Sequence, residues 1–356
     1  MDFTAIPSDA VSLIDYERMA SGRLSAGVAA YLNGGAADGQ TVQANRTAWQ
    51  QEKIVPRVLR AQEIASFRSE LFGRELSSPL LIGPTAYHQL FHQDGELATA
   101  QAASLAKVPY VVSAQASRPL ESIAQAAPEG SRWFQLYLPE DRAFAQELVH
   151  RIEAAGYEAL VLTVDAPVNG IRNDEQRANF QLPPGISAVN LPQGRAAAIP
   201  TSAMDAGFRQ SLPTWEHVAW LKSLTNLPLL LKGILHPDDA EQALSLGVDG
   251  LIVSNHGGRT LDQVISTREA LANIVTRVAG RAKVLVDGGL RRGTDVWQAL
   301  ALGADAVLLG RPILHGLSVA GAAGVVHVLK LLQHEFEVAL LLSGGLPSSI
   351  FPNKHS

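Results

Sequence analysis

The chain contains no cysteine. Disulfides, thiolate nucleophiles and cysteine-ligated zinc or iron–sulfur centres are therefore excluded. It is also short of charge and of aromatics: Asp, Glu, Lys and Arg make up 18% of its 356 residues, and Phe, Trp and Tyr 6%. A formal net charge of -5 gives no electrostatic reason to expect nucleic acid or an anionic membrane as a partner. The adjacent pair Arg291–Arg292 is too short to be a nucleic-acid patch. No apolar run approaches the roughly 18 residues of a membrane span; Val338–Leu342 comes closest and follows His334, Glu335 and Glu337. The segment Met1–Ala20 is acidic and amphipathic and lacks the apolar stretch of a signal peptide. We expect a soluble, cytoplasmic protein.

What the chain has is apolar bulk, 47% of all residues, enough at this length to bury a large core. From about residue 80 it alternates between short apolar runs and Ala-rich helical stretches. The runs are Leu81–Ala86, Tyr110–Ala114, Trp133–Tyr137, Ala159–Asp165, Leu227–Gly233, Gly250–Asn255, Lys283–Gly289 and Ala306–Pro312. They are apolar throughout, as parallel strands covered on both faces must be. Helices are expected over Gly95–Ala106, Asp141–Ala155, Pro237–Leu246, Thr267–Val278 and Thr294–Leu302. The phrases AAGYEALVLTVD, SLGVDGLIVSN and ALGADAVLLG each end a helix at Gly and start a strand. Eight such units predict an α/β fold, a closed (β/α)8 TIM barrel rather than an open doubly wound sheet. Residues 1–80 are expected to form an N-terminal helical cap, 81–320 the barrel, and 321–356 a C-terminal helix and tail, all in a single domain. Between strands four and five the spacing more than doubles. This long Pro-rich insert, 166–226, leaves a strand at its C-terminal end, so it is a candidate lid, or else a surface excursion.

In such a barrel, polar residues at the C-terminal ends of strands are placed for chemistry. Here those ends carry Gln135 and Tyr137, Thr163 and Asp165, Lys232, Ser254 with His256 and Arg259, Asp287 with Arg291, and Gly310 with Arg311. His256 follows an apolar strand, and the two glycines after it allow a ligand to approach the backbone. It is the candidate base, with Asp165 to orient its ring and stabilise the imidazolium. Arg259 offers a two-pronged carboxylate contact, and Arg172 a second one. Tyr31 and Tyr137 are candidate hydrogen-bond donors. The turns VDGGLRRGTD and LLGRP, after neighbouring strands, have the form of a barrel phosphate site. Lys232 suits either a Schiff-base nucleophile or a cation beside the pyrimidine edge of a flavin.

The segment SNHGGRTLD resembles the active-site signature of the FMN-dependent L-2-hydroxy-acid oxidase and dehydrogenase family. QANRTAW, PRVLR, PTAYHQLFHQDGE, WFQLY, LTVDAP, LLKGIL, VDGGLRRGTDV and LGRP fall in that family's order and spacing, so the likeness covers nearly the whole chain. It implies FMN as cofactor and oxidation of a small L-2-hydroxy acid to the 2-oxo acid, with O2 as acceptor, or a quinone or other acceptor in the dehydrogenase alternative. Carried over position by position, the flavin ring rests near Pro84, Thr85, Ala86 and Ser113. Gln135 and Thr163 bond its polar edge, Ser254 touches it, and Lys232 stabilises negative charge on its reduced form. Asp287, Gly288, Gly289, Arg291, Gly310 and Arg311 hold ribityl and phosphate. His256 takes a substrate proton with Asp165 behind it, and Tyr137 bonds the hydroxyl. Arg259, Arg172 and Tyr31 hold the carboxylate. By analogy with the family we also expect a homotetramer.

The chain departs from the family in places. Ile171–Arg172 stands where two arginines are common, and Thr260 where Gln is usual. Gln115 replaces the bulky Trp of glycolate oxidases, which points to a roomier pocket for a lactate-like or mandelate-like acid. Tyr87 and Phe91 resemble the hydroxymandelate-oxidase branch. Ser187–Arg209 is neither basic nor apolar, unlike the insert of membrane-bound members. A phosphosugar aldolase or isomerase using Lys232, and a non-catalytic flavin-binding barrel, are the competing classes.

Overall fold

The computed structural model describes residues 5–60, 69–138, 141–192 and 212–346. Three helices come first: α1 (Leu13–Ser21), α2 (Ala26–Asn33) and α3 (Gln40–Gln51). Ser12 and Ser25 cap the first two, accepting from the amides of Asp15 and Val28. Gly39, which precedes α3, offers no side chain. The carboxylate of Asp262, more than two hundred residues away, accepts instead from the amides of Asp38, Gln40 and Thr41 at 3.2, 3.2 and 2.7 Å. Residues 1–80, expected to form a helical cap, also hold two strands. A hairpin of β1 (Ser69–Leu71) and β2 (Arg74–Leu76) follows, turning at Gly73 with φ +81°. Leu71 and Leu76 of this hairpin close the floor of the barrel, in one cluster with Trp133, Ala159, Leu230 and Ala306.

The barrel closes as expected. Its strands are β3 (Leu80–Ile82), β4 (Tyr110–Ser113), β5 (Arg132–Leu136), β6 (Leu160–Thr163), β7 (Leu229–Ile234), β8 (Gly250–Val253), β9 (Lys283–Val286) and β10 (Ala306–Leu309). All neighbours are parallel, and β10 pairs with β3 through Val307↔Leu80 and Leu309↔Ile82. The helices behind them are α4 (Glu96–Ala106), α5 (Leu120–Ala126), α6 (Arg142–Ala154), α7 (Asn173–Arg177), α8 (Trp215–Ser223), α9 (Pro237–Ser245), α10 (Thr267–Val278), α11 (Gly293–Ala301) and α12 (Arg311–Ser343). The recurring helix-ending glycines, Gly156, Gly247 and Gly303, have φ of +74°, +73° and +100°, where only glycine sits without strain.

One boundary differs from expectation. The stretch 166–226 is not all excursion: α8 packs Val218 and Leu221 into the core as an ordinary barrel helix. Residues 193–211, within the candidate lid, lie outside the described residues. The final helix begins past a kink at Ala320 and Gly321, as expected, and the part of α12 from Arg311 to that kink is the last barrel helix. The kink divides a barrel helix from a terminal one. By length and composition α12 could cross a membrane, but 72% of its apolar window is buried against the rest of the fold.

The two-residue strand period splits the apolar runs into two cores. Leu80, Ile82, Tyr110, Val112, Phe134, Leu160, Leu162, Leu229 and Leu231 face the helices. Leu81, Val111, Trp133, Val161, Leu230, Ile252 and Leu285 fill the barrel. One step further along that inward ladder stand Ser113, Gln135, Thr163, Lys232, Ser254 and Asp287. The interior therefore changes from apolar to polar at the C-terminal rim.

Candidate active site

The rim residues bond to one another across strands. The Lys232 ammonium lies 3.2 Å from the Asp287 carboxylate and donates to the Ser254 hydroxyl at 2.9 Å. Burial opposes its charge, but Asp287 and Asp165 outweigh that and raise its pKa. Lys232 is thus a paired, permanently charged cation, which does not suit a Schiff-base nucleophile. The Ser113 hydroxyl donates to Gln135 Oε1 at 3.1 Å. On the first strand's loop, Thr85 Oγ1 lies 2.7 Å from Nε2 of the fully buried His88, whose Nδ1 meets Thr99 Oγ1 at 2.8 Å. His88 thereby fixes the loop that carries Pro84, Thr85 and Ala86.

His256 sits just past β8 in the left-handed region, with φ +57°. Its amide donates to Ser254 Oγ at 3.1 Å, and its Nδ1 lies 2.8 Å from Asp165 Oδ1. Burial is the largest influence on His256 and lowers its pKa below 6.5; the Asp165 bond pulls the other way. Burial pushes the Asp165 carboxyl up, but its bond to His256 and the charges of His256 and Lys232 win, and its pKa falls. The result is a neutral imidazole backed by a carboxylate anion. Tyr137 is held in the neutral phenol form, chiefly by burial and next by the Asp165 charge.

The next residues bring the cap into the site. Arg259 Nη1 donates to the carbonyls of Tyr31 at 2.6 Å and Gly34 at 3.0 Å, and its guanidinium lies 5.1 Å from the Tyr31 ring centroid. Phe180 stacks on Tyr31 at 4.9 Å, so the start of the insert roofs this corner. Arg172 reaches the same corner. Its Nη1 donates to Glu175 Oε1 at 3.3 Å, and Arg259 Nη2 donates to that same oxygen at 3.2 Å. Burial is the main reason the Arg172 pKa is lowered to about 10, with Arg259 adding to it.

The glycine turns lie beside this corner. Gly288 and Gly289 have φ of +90° and +87°. A Cβ on Gly289 would stand 2.5 Å from the Asn45 carbonyl oxygen, so no other residue fits there. Burial first, then Arg46, lowers the pKa of Arg291 to about 10. Arg311 is turned towards the cap, donating to the carbonyls of Leu32, Gly257 and Gly34 at 2.8–2.9 Å. Burial depresses its pKa strongly, followed by the charges of Arg259, Arg291, Arg46 and Arg172.

Two features fit a phosphate-bearing planar cofactor and a carboxylate substrate. Gln135 Nε2, Asp287 Oδ1 and Arg291 Nε are buried without hydrogen-bond partners, as are Asp165 Oδ2 and Arg172 Nε. Such orphans are rare unless a ligand completes them. The five mutually repelling guanidiniums of Arg46, Arg172, Arg259, Arg291 and Arg311 have two carboxylates within pairing distance among the described residues, Glu17 and Glu175. The surplus of three positive charges equals what one phosphate dianion and one carboxylate would neutralise. By contrast, a groove of about 690 Å³ at the hairpin end, lined by Arg74, Lys107 and Glu129, contains none of these residues.

Sequence reading had not singled out Glu175 or Asn255. Arg172-x-x-Glu175 at helical spacing was a usable signal for the first. The second had none, because its partner, Asn45, comes from the cap: each amide donates to the other at 2.8 Å, and Asn45 Oδ1 also accepts from Thr267 N at 3.2 Å.

A barrel with a carboxylate-backed histidine, a cluster of arginines and a double-glycine turn on one rim has the groups that a cofactor-dependent oxidoreductase of hydroxy acids requires. The chain belongs to the FMN-dependent dehydrogenase family, whose description matches residues 20–347. It is 46% identical over 351 residues to an L-lactate oxidase of Nostoc sp., covering 96% of both chains. It is 43% identical to a 4-hydroxymandelate oxidase of Amycolatopsis orientalis, covering 94% of both. The solved structure of mandelate oxidase with (S)-4-hydroxymandelic acid superimposes with a TM-score of 0.87 at 42% identity, over 94% of this chain and 95% of that one. The chain is accordingly an FMN-dependent oxidoreductase of the 2-hydroxy-acid oxidase type.

Proposed function

We propose that the protein oxidises a small L-2-hydroxy acid, of lactate to mandelate size, to the 2-oxo acid. The observation that carries the residue assignment is the 2.8 Å contact between His256 Nδ1 and Asp165. It fixes Nδ1 as the protonated nitrogen and leaves Nε2 to accept a substrate proton. FMN, when bound, would supply the two-electron acceptor for the carbinol carbon, with O2 as the final acceptor and hydrogen peroxide as its product.

The remaining roles follow from charge and position. Asp165 stabilises the imidazolium as it forms. Tyr137, kept protonated, donates to the substrate hydroxyl oxygen. Arg259 and Arg172 hold the carboxylate, and Tyr31 walls the pocket beneath Arg259. Lys232, tied to Asp287 and Ser254, would present a fixed positive charge to the flavin pyrimidine. Gln135 and Asp287 have unpartnered atoms that would bond flavin and ribityl, and Ser113, Thr163, Ser254, Pro84, Thr85 and Ala86 would line the ring. Gly288, Gly289, Arg291, Gly310 and Arg311 would hold the phosphate, the last through its charge. Gln115 leaves room for a substituent, and Tyr87, 6.4 Å from Tyr31, flanks it. A cytoplasmic homotetramer completes the proposal.

Anaerobic titration of the purified protein with lactate, mandelate and glycolate tests it. Lactate or mandelate should bleach the flavin, and glycolate should do so less well. A yellow protein that none of them bleaches would refute the reading. Stoichiometric hydrogen peroxide in air distinguishes O2 from another acceptor.

A further inference from the structure

One carboxylate inside the substrate seat has no part in the chemistry described above. Glu175 projects from α7, in the insert, and one of its oxygens accepts from both Arg172 and Arg259. All three side chains are largely withdrawn from water, at 17–20% exposure, so solvent does little to screen their charges. Two guanidiniums alone would present a charge of about +2 to whatever binds. With Glu175 between them the seat carries about +1, which matches a single carboxylate.

We propose that Glu175 is a specificity-determining residue that sets the seat's charge for monocarboxylic acids and against dianions. The geometry leaves room for this role. Each guanidinium gives Glu175 a single nitrogen, Arg172 its Nη1 and Arg259 its Nη2, so that carboxylate uses up neither fork. A substrate carboxylate therefore completes the seat without having to displace Glu175. A second negative charge on the ligand would meet the Glu175 carboxylate at short range with no cation left to balance it. Tyr31 and Phe180, stacked over the corner, keep water from relieving that repulsion.

The inference rests on the proposed hydroxy-acid seat, and the test keeps the two apart. Calorimetric titration of the FMN-loaded protein with pyruvate (a monoanion) and oxalate (a dianion) is made at fixed ionic strength. Removing one negative charge nearby should tighten binding by about tenfold per ligand charge. Glu175→Gln should therefore bind pyruvate about tenfold, and oxalate about a hundredfold, more tightly than the unmodified protein. Glu175→Ala, checked for flavin content, should do the same, and Glu175→Asp should restore the original preference. An oxalate-to-pyruvate ratio unchanged in Gln and Ala variants, or weaker binding of both, would overturn the inference, because an orienting carboxylate would lose affinity for both alike. If the unmodified protein bound neither ligand, the hydroxy-acid seat itself would fall.

Discussion

Asp165→Asn is the change that most sharply tests the chemistry. The amide is nearly isosteric, which matters because a Cβ at Gly233 would lie 2.5 Å from Asp165 Cβ and the backbone there tolerates no growth. What is lost is a charge 2.8 Å from His256 Nδ1, in a site where the two side chains are 11% and 21% exposed. A hydrogen bond to a charged group contributes about 1.5–3 kcal/mol, and a pair near 4 Å interacts by about 4 kcal/mol at an effective dielectric of 20. Destabilising the imidazolium by about 2–4 kcal/mol slows flavin reduction roughly 30- to 1,000-fold. The pH dependence moves in a set direction. Burial, Lys232 and Arg259 lower the His256 pKa, and Asp165 holds it up. The neutral, proton-accepting form predominates above that pKa, so the acid limb of kcat/KM in the unmodified enzyme lies below pH 6.5. Removing the Asp165 charge should shift that limb to lower pH while the plateau drops. Anaerobic stopped-flow bleaching across pH 4–9 (a range set by about two units either side of the base) measures both. A loss under about tenfold, or a limb displaced upward, would refute the pairing argument.

Three further outcomes follow. His256→Ala should retain FMN, since the residues assigned to flavin and phosphate are untouched, and lose flavin reduction by about three orders of magnitude or more; rapid-scan absorbance reports both. Arg259→Lys should raise KM at least about tenfold with little change in flavin affinity, because an ammonium cannot reproduce the fork that spans Tyr31, Gly34 and a ligand; steady-state kinetics with a fluorimetric FMN titration checks it. Asn45→Ala should cost about 2–4 kcal/mol in urea unfolding, because Asn255, Thr267 N and the loop bearing His256 lose buried partners; an unchanged midpoint would mean that the amide pair does not hold that loop.

The sequence by itself determined the barrel and most of its rim. Eight apolar runs closed by Gly-ended helices have few other solutions, and the polar residues at the run ends are the ones the structure gathers around Lys232, His256 and Asp287. Apolar runs do not, however, reveal which alternate residues face inward, because both faces of a covered parallel strand are equally apolar. The runs continue two to four residues past the strand ends at Ala86, Asp165 and Gly289, since the rim loops carry on the same residue types without the ladder bonds.

Only the tertiary structure decided the rest. The hairpin at 69–76 is too short and too polar to announce itself, and it matters only because the barrel floor must be closed by something. Helix α8 hides inside a Pro- and Ser-rich interval, and its packing face is what distinguishes it from the insert. Lys232 was compatible with two chemistries until Asp287 was found beside it. The Glu175 bridge and the Asn45–Asn255 pair join segments that are, in the first case, 84 residues apart and, in the second, 210. Local spacing encodes helix, strand and turn, whereas a charge balance belongs to side chains that meet only once the chain has closed.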